Sequence, residues 1–194
     1  MRARRNEDAA LAMYLRTDSA SGKRNVVLAP GELYATAQDE VISTVLGSCV
    51  CICLRDQATG IAGMNHYLLP GLSRGDANSQ GRAGLQATRL LVEKLASLGA
   101  SGARLTAKVF GGAHVLRVAG ANSDIPDANV AFALAYLQEH DIRLLAKDVG
   151  GTVGREVRFH TGCGDAYVRM LGRSRALART ARPPSVELGR AEAG

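Results

Sequence analysis

Cys49 follows a glycine turn in Leu46-Gly47-Ser48-Cys49-Val50, and His66 comes soon after in Gly63-Met64-Asn65-His66-Tyr67. A thiol with an imidazole in reach can serve as nucleophile and base. The thiolate is the reactive form of cysteine, and imidazole can take its proton and stabilise its charge. The plainer reading is that a cysteine between Val45-Leu46 and Val50-Ile52 is a small buried apolar residue, as most free cysteines are. The pair alone does not decide between them. Cys51, Cys53 and Cys163 complete the cysteine set. Zinc sites space paired cysteines by two to four residues, which Cys-X-Cys-X-Cys does not do. On a strand those three sulfurs would fall on one face roughly 7 Å apart, too far for one tetrahedral metal. Cys51 and Cys53 read as packing residues.

The elements that must position Cys49 and His66 follow from the apolar pattern. Strands are expected at 25–28, 41–45, 61–69, 104–110, 113–118, 142–148, 155–160 and 166–171. Segment 49–54 is apolar throughout, so its period leaves strand and helix start both open. The turn Asp56-Gln57-Ala58-Thr59-Gly60 closes a hairpin that carries His66 back along the segment bearing Cys49. His114, His140 and His160 lie on no such returning segment. Segment 71–82 reads as a polar loop. One helix is expected over 83–98, with Ala87, Leu91, Leu95 and Leu98 at helical spacing and Gly99 as terminator. A second is expected over 126–140, capped by Ser123 or Asp124, with Val130, Leu134 and Leu137 as its inner stripe. Strands outnumber helices and rarely alternate with them, which favours α+β. Gly111-Gly112 and Gly150-Gly151 match no phosphate-binding fingerprint and read as tight turns.

With 194 residues and 46% apolar content, the chain suits a single domain with its own core. Its net charge of +6 would fit a nucleic-acid binder, but the excess belongs to the ends. Residues 1–24 hold six basic against three acidic side chains, and residues 173–194 hold five against two. The body between them balances and lacks aromatic side chains interleaved with basic ones, so nucleic-acid binding is not expected. The organisation read from this is a flexible basic extension (1–24), one domain (25–172) and a disordered basic tail (173–194). No apolar run reaches the length of a membrane span or a secretory signal core, and a cytoplasmic protein without membrane insertion is expected.

Taken in order, the motifs resemble those of the CheD family, the chemoreceptor glutamine deamidases of bacterial chemotaxis. The resemblance covers roughly residues 26–171. It rests on Leu46-Gly47-Ser48-Cys49-Val50, on His66 seventeen residues later, on Val109-Phe110-Gly111-Gly112-Ala113, and on Asp148-Val149-Gly150-Gly151 followed by Gly154-Arg155 and Thr161-Gly162. It implies a single-domain layered α/β/β sandwich, mostly strands with two main helices. The implied activity is hydrolysis of glutamine side-chain amides in methyl-accepting receptors to glutamate through a thioester, without a metal or organic cofactor. Cys49 and His66 take the positions of the family's cysteine and histidine. Ser43 takes that of its third catalytic residue, usually threonine, with Thr44 next door as a substitute. The family's Ile-Gly-Glu-Arg-Asn is Ile125-Pro126-Asp127-Ala128-Asn129 here, without the arginine.

On this basis His66 is expected to lower the Cys49 pKa, with backbone amides of the Gly47-Ser48-Cys49 turn holding the oxyanion. The implied partners are the cytoplasmic domains of chemotaxis receptors and, for some members, a CheC-type phosphatase. Two other classes stay open: a non-enzymatic chemotaxis regulator that binds receptor or phosphatase, and another Cys-His acyl-transfer enzyme.

Overall fold

The computed structural model describes residues 14–68, 77–115 and 124–172. The expected C-terminal tail lies outside them, as does residue 116–118 of the strand expected over 113–118. Ten strands form two five-stranded sheets. The first holds β1 (Tyr14–Thr17), β2 (Arg24–Val27), β4 (Val41–Leu46), β9 (Arg155–His160) and β10 (Ala166–Met170), side by side in that order. The second is ordered β3 (Leu33–Thr36), β6 (Ala62–Tyr67), β5 (Val50–Asp56), β7 (Leu105–Gly111) and β8 (Arg143–Val149). Both are mixed: β2–β4 and β7–β8 are parallel and the other neighbours antiparallel. Helix α1 (Ala77–Ser97) packs on β3 and β6, and α2 (Ile125–Glu139) on β5, β7 and β8. The layers are helices, second sheet, first sheet, which is an α+β fold of the expected α/β/β kind.

Strand β5 shows why its period was ambiguous. Val50, Ile52 and Leu54 point into the core shared with the helices, beside Leu91, Leu95, Ala133 and Leu137. Cys51 and Cys53 point the other way, into the core between the sheets, beside Ile42, Leu46, Met64, Val157 and Phe159. A strand covered on both faces has no polar alternation to show. The same arrangement places Cys51 and Cys53 as buried packing residues.

Several expected elements shift. Tyr14–Thr17, inside the stretch read from composition as an extension, forms β1 against β2. Asp18 beyond it is buried and paired with Arg158. Strand β3 falls in a stretch to which no element was assigned. The backbone of α1 begins at Ala77, ahead of the expected start at 83, and ends at a positive-φ Gly99 as expected. Asp124 occupies the N-cap position of α2 without making a side-chain cap bond. The buried stripe of α2 is Asn129, Ala133, Tyr136 and Leu137, a face turned from the expected Val130, Leu134 and Leu137. Residues 113–115 are irregular rather than strand: Gly111 and Gly112 both have positive φ and turn the chain out of β7.

Candidate active site

The core between the sheets ends, near the start of β5, in a polar group. The β5–β6 register sets His66 opposite Cys51 and Met64 opposite Cys53, so all four share the face toward the first sheet. Cys49 lies two residues before Cys51, diagonal to His66. Such diagonal neighbours are roughly 7–8 Å apart across a sheet, within reach of long side chains and rings. Cys49 packs against the inter-sheet core while keeping partial access to solvent, whereas Cys51 is fully buried. Of the three thiols on the histidine's face, Cys51 and Cys53 are buried and only Cys49 can meet a bulky substrate.

His66 is held on all sides. Its N–H donates to the Glu32 carbonyl at 2.9 Å, and its carbonyl accepts from Gly31 N–H at 2.7 Å. Its ring Nδ1 lies 2.7 Å from Thr44 Oγ1, and that hydroxyl lies 2.8 Å from the Leu28 carbonyl. A carbonyl can only accept, so the single Thr44 proton goes to Leu28, and Thr44 oxygen must accept from Nδ1–H. The network therefore selects the tautomer with a bare, proton-accepting Nε2. That Nε2 is buried and has no hydrogen-bond partner among the described residues.

The third expected residue, Ser43, is not brought to this cluster. Side chains alternate along β4: Ile42, Thr44 and Leu46 face the second sheet, while Ser43 shares the opposite face with exposed Val45. The Ser43 hydroxyl instead donates to Asn25 Oδ1 at 2.8 Å. Thr44 is the hydroxyl that meets the imidazole.

Electrostatics sets the resting protonation. Burial pushes the Cys49 thiol above its ordinary value, partly opposed by a backbone hydrogen bond. Burial also pushes His66 below its ordinary value, partly opposed by a backbone contact at Leu28 and the charge of Glu32. Both shifts favour the uncharged form. Burial therefore holds the pair toward thiol and neutral imidazole, in the opposite direction to the lowered thiol pKa expected from the sequence.

The turn carrying the thiol is tied down at three consecutive carbonyls. Gly47 accepts from Ala113 N–H at 2.7 Å, Ser48 from Asn129 Nδ2 at 2.8 Å, and Cys49 from Gly112 N–H at 2.8 Å. Gly111-Gly112 is required for this approach. A Cβ on Gly111 would stand 2.2 Å from the Cys49 carbonyl oxygen, and one on Gly112 would stand 2.3 Å from Val130. Asn129 and Tyr67 also belong to the framework, since Tyr67 Oη donates to the Asn129 backbone carbonyl at 2.8 Å. The expected stripe of Val130, Leu134 and Leu137 left Asn129 off the inner face; the available sequence signal was only an asparagine, a poor helix former, inside an apolar helix. A cleft of about 490 Å3, lined among others by Gly31, Leu33, Tyr67, Leu68 and Leu90, opens on the helix side of β6, and neither Cys49 nor His66 lines it. Among the described residues, no group of three or more His, Cys, Asp or Glu side chains could hold a metal ion, and no helix is long and apolar enough to cross a membrane.

Residues 68–170 match the family model CheD, described as CheD chemotactic sensory transduction. A protein of Cupriavidus pinatubonensis named as a probable chemoreceptor glutamine deamidase CheD is 40% identical over 179 residues, covering 84% of this chain and 81% of the relative. A protein of the same name from Anaeromyxobacter dehalogenans, numbered CheD 1, is 41% identical over 155 residues, covering 80% and 90%. One from Vibrio cholerae is 35% identical over 182 residues, covering 89% and 77%. The chain belongs to the CheD family.

Proposed function

We propose that this chain is a protein-glutamine deamidase acting on chemoreceptors, and that Cys49, His66 and Thr44 carry the reaction. The names of its relatives support the activity and the substrate class. The observation that carries the mechanism is the bare, buried Nε2 of His66, fixed in its tautomer by Thr44 and set diagonally from a partly accessible thiol.

The steps balance with water as the only co-reactant. The Cys49 proton passes to Nε2 as sulfur bonds to the glutamine amide carbon, and the carbonyl becomes an oxyanion. The C–N bond then breaks, Nε2–H protonates the departing nitrogen, and ammonia leaves a thioester. Water attacks the thioester carbon while Nε2 takes its proton. The C–S bond breaks, the thiol regains that proton, and the side chain is now glutamate. Because the pair begins neutral, proton transfer accompanies attack. The imidazolium formed then is stabilised by its Nδ1–H bond to Thr44, which strengthens as the ring becomes charged.

The test is incubation of a receptor cytoplasmic fragment with the parent protein and with Cys49→Ala, following ammonia and fragment mass. Each converted glutamine should release one ammonia and add about one dalton with the backbone intact, the net result of hydrolysis through an acyl-enzyme. Cys49→Ala should do neither. Backbone cleavage would indicate a peptidase. Binding to receptor or to a CheC-type phosphatase without ammonia release would favour a non-enzymatic regulator.

A further inference from the structure

We propose that Asn129 is a positioning residue for the nucleophile turn, one that aims the Cys49 N–H at the forming oxyanion. The inference rests on the Cys49 thioester reading and adds a residue to it. Of the three carbonyl anchors on the turn, those at Gly47 and Cys49 are backbone amides, which persist whatever side chains are present. The middle one, at Ser48, is the side chain of Asn129. It holds the peptide whose nitrogen belongs to Cys49. In a planar trans peptide the N–H points opposite to the C=O. Drawing the Ser48 carbonyl toward α2 therefore turns the Cys49 N–H away from α2. An N–H on the nucleophile's own residue is well placed for the oxygen of the carbon its sulfur attacks.

The placement of Asn129 supports a dedicated role. It is fully buried in the α2 face packed on β5 and β7, a position whose other occupants are apolar. An alanine there would suit a helix better. The residue also reaches the base strand, because its own carbonyl accepts from Tyr67, the neighbour of His66. Helix α2 thus ties the nucleophile turn to the strand of the base through a single residue.

The experiment compares Asn129→Ala and Asn129→Asp with the parent on the receptor fragment, each with its folded fraction measured by circular dichroism. Both should lower kcat about 10- to 100-fold with little change in KM. That is less than the roughly 10²–10³ expected when an oxyanion donor is removed outright, because the N–H is misaimed rather than lost. Asn129→Asp adds a signature that a purely structural role would not give. Ionised, it sets an acceptor against the Ser48 carbonyl; protonated, it can donate to it. Its rate relative to the parent should rise as pH falls, while that of Asn129→Ala stays flat. Parent-like kcat in both variants would overturn the proposal, as would a loss of rate that only tracks loss of folded protein, or matching flat pH ratios. Cys49→Ala in the same assay separates the two ideas: if it turns over, the nucleophile reading itself is wrong, whatever Asn129 does.

Discussion

Replacing Thr44 with valine keeps the shape of the side chain and deletes the one hydroxyl that meets the imidazole. Two buried contacts are lost, the 2.7 Å bond from His66 Nδ1–H and the 2.8 Å bond to the Leu28 carbonyl. In the resting state the bond to His66 is neutral, with a net worth of about 0.5–1.5 kcal/mol; once the ring is charged, the figure is about 1.5–3 kcal/mol. Only the strength gained between the resting and the charged ring slows the chemistry, about 1–1.5 kcal/mol, and 1.36 kcal/mol corresponds to a factor of ten. Thr44→Val should therefore lower kcat roughly 5- to 15-fold with KM nearly unchanged. Losing the Thr44 hydroxyl's contacts with the Leu28 carbonyl and Nδ1 should also destabilise the protein by about 1–3 kcal/mol. Thr44→Ser, which keeps the hydroxyl, should recover most of the rate. Ser43→Ala, on the opposite face of β4, should stay within about twofold of the parent, as its hydroxyl bond to Asn25 contributes little to a step it does not touch. The assay is ammonia release from a receptor fragment at saturating substrate, beside a melting curve. Parent-like kcat in Thr44→Val, or an equal loss in Ser43→Ala, would refute the assignment of Thr44.

Three further outcomes are expected. With Cys163 replaced by serine to silence the exposed thiol, alkylation of Cys49 should rise with a midpoint above the ordinary 9.0, because burial raises its pKa; a midpoint near 7 would show a standing thiolate instead. The acid limb of kcat/KM should sit below 6.5, since burial lowers the His66 pKa and the proton-accepting ring persists until pH falls through that lowered value; a limb above 6.5 would contradict this. Asp56 is fully buried, and Arg104, with backbone N–H groups of Ser101, Ala58 and Thr59, holds its carboxyl well below the ordinary 3.8. Asp56→Ala should cost roughly 3 kcal/mol at pH 7. A depressed carboxylate pKa gives stability that is full above 3.8 and lost as pH falls below it, so denaturant titrations should show the gap to the parent closing in acid; a gap independent of pH would contradict it.

The approach of His66 to the Cys49 segment in the candidate site was legible from residue types and order. The hairpin through Asp56–Gly60 and the glycine turn before Cys49 were enough to bring a histidine back to a thiol. Choosing between Ser43 and Thr44 was not possible from sequence, because β4 is buried on both faces apart from Val45, and neither hydroxyl is marked by an apolar-polar alternation. The resting protonation was also hidden: it depends on how deeply each group is covered, which spacing along the chain does not report. Strands β1 and β3 are four residues each, too short for a period to stand out, and they are fixed by pairing with distant partners. That α2 buries Asn129 rather than Val130 was not legible, because from Val130 to Leu137 the helix is apolar on every side and no stripe stands out.

The central claim is that Cys49 becomes acylated during turnover, and the most direct measurement is the mass of that intermediate. Parent protein and receptor fragment, mixed and quenched in acid within one turnover, should yield a species joining the two chains. Its mass should be lower than their sum by one ammonia, about 17 daltons, as expected of an acyl-enzyme formed by loss of the amide nitrogen. Digestion should place the link on the peptide carrying Cys49, and Cys49→Ala should form none. An adduct on Cys51, or ammonia released from quenched samples in which no covalent species ever appears, would contradict the account.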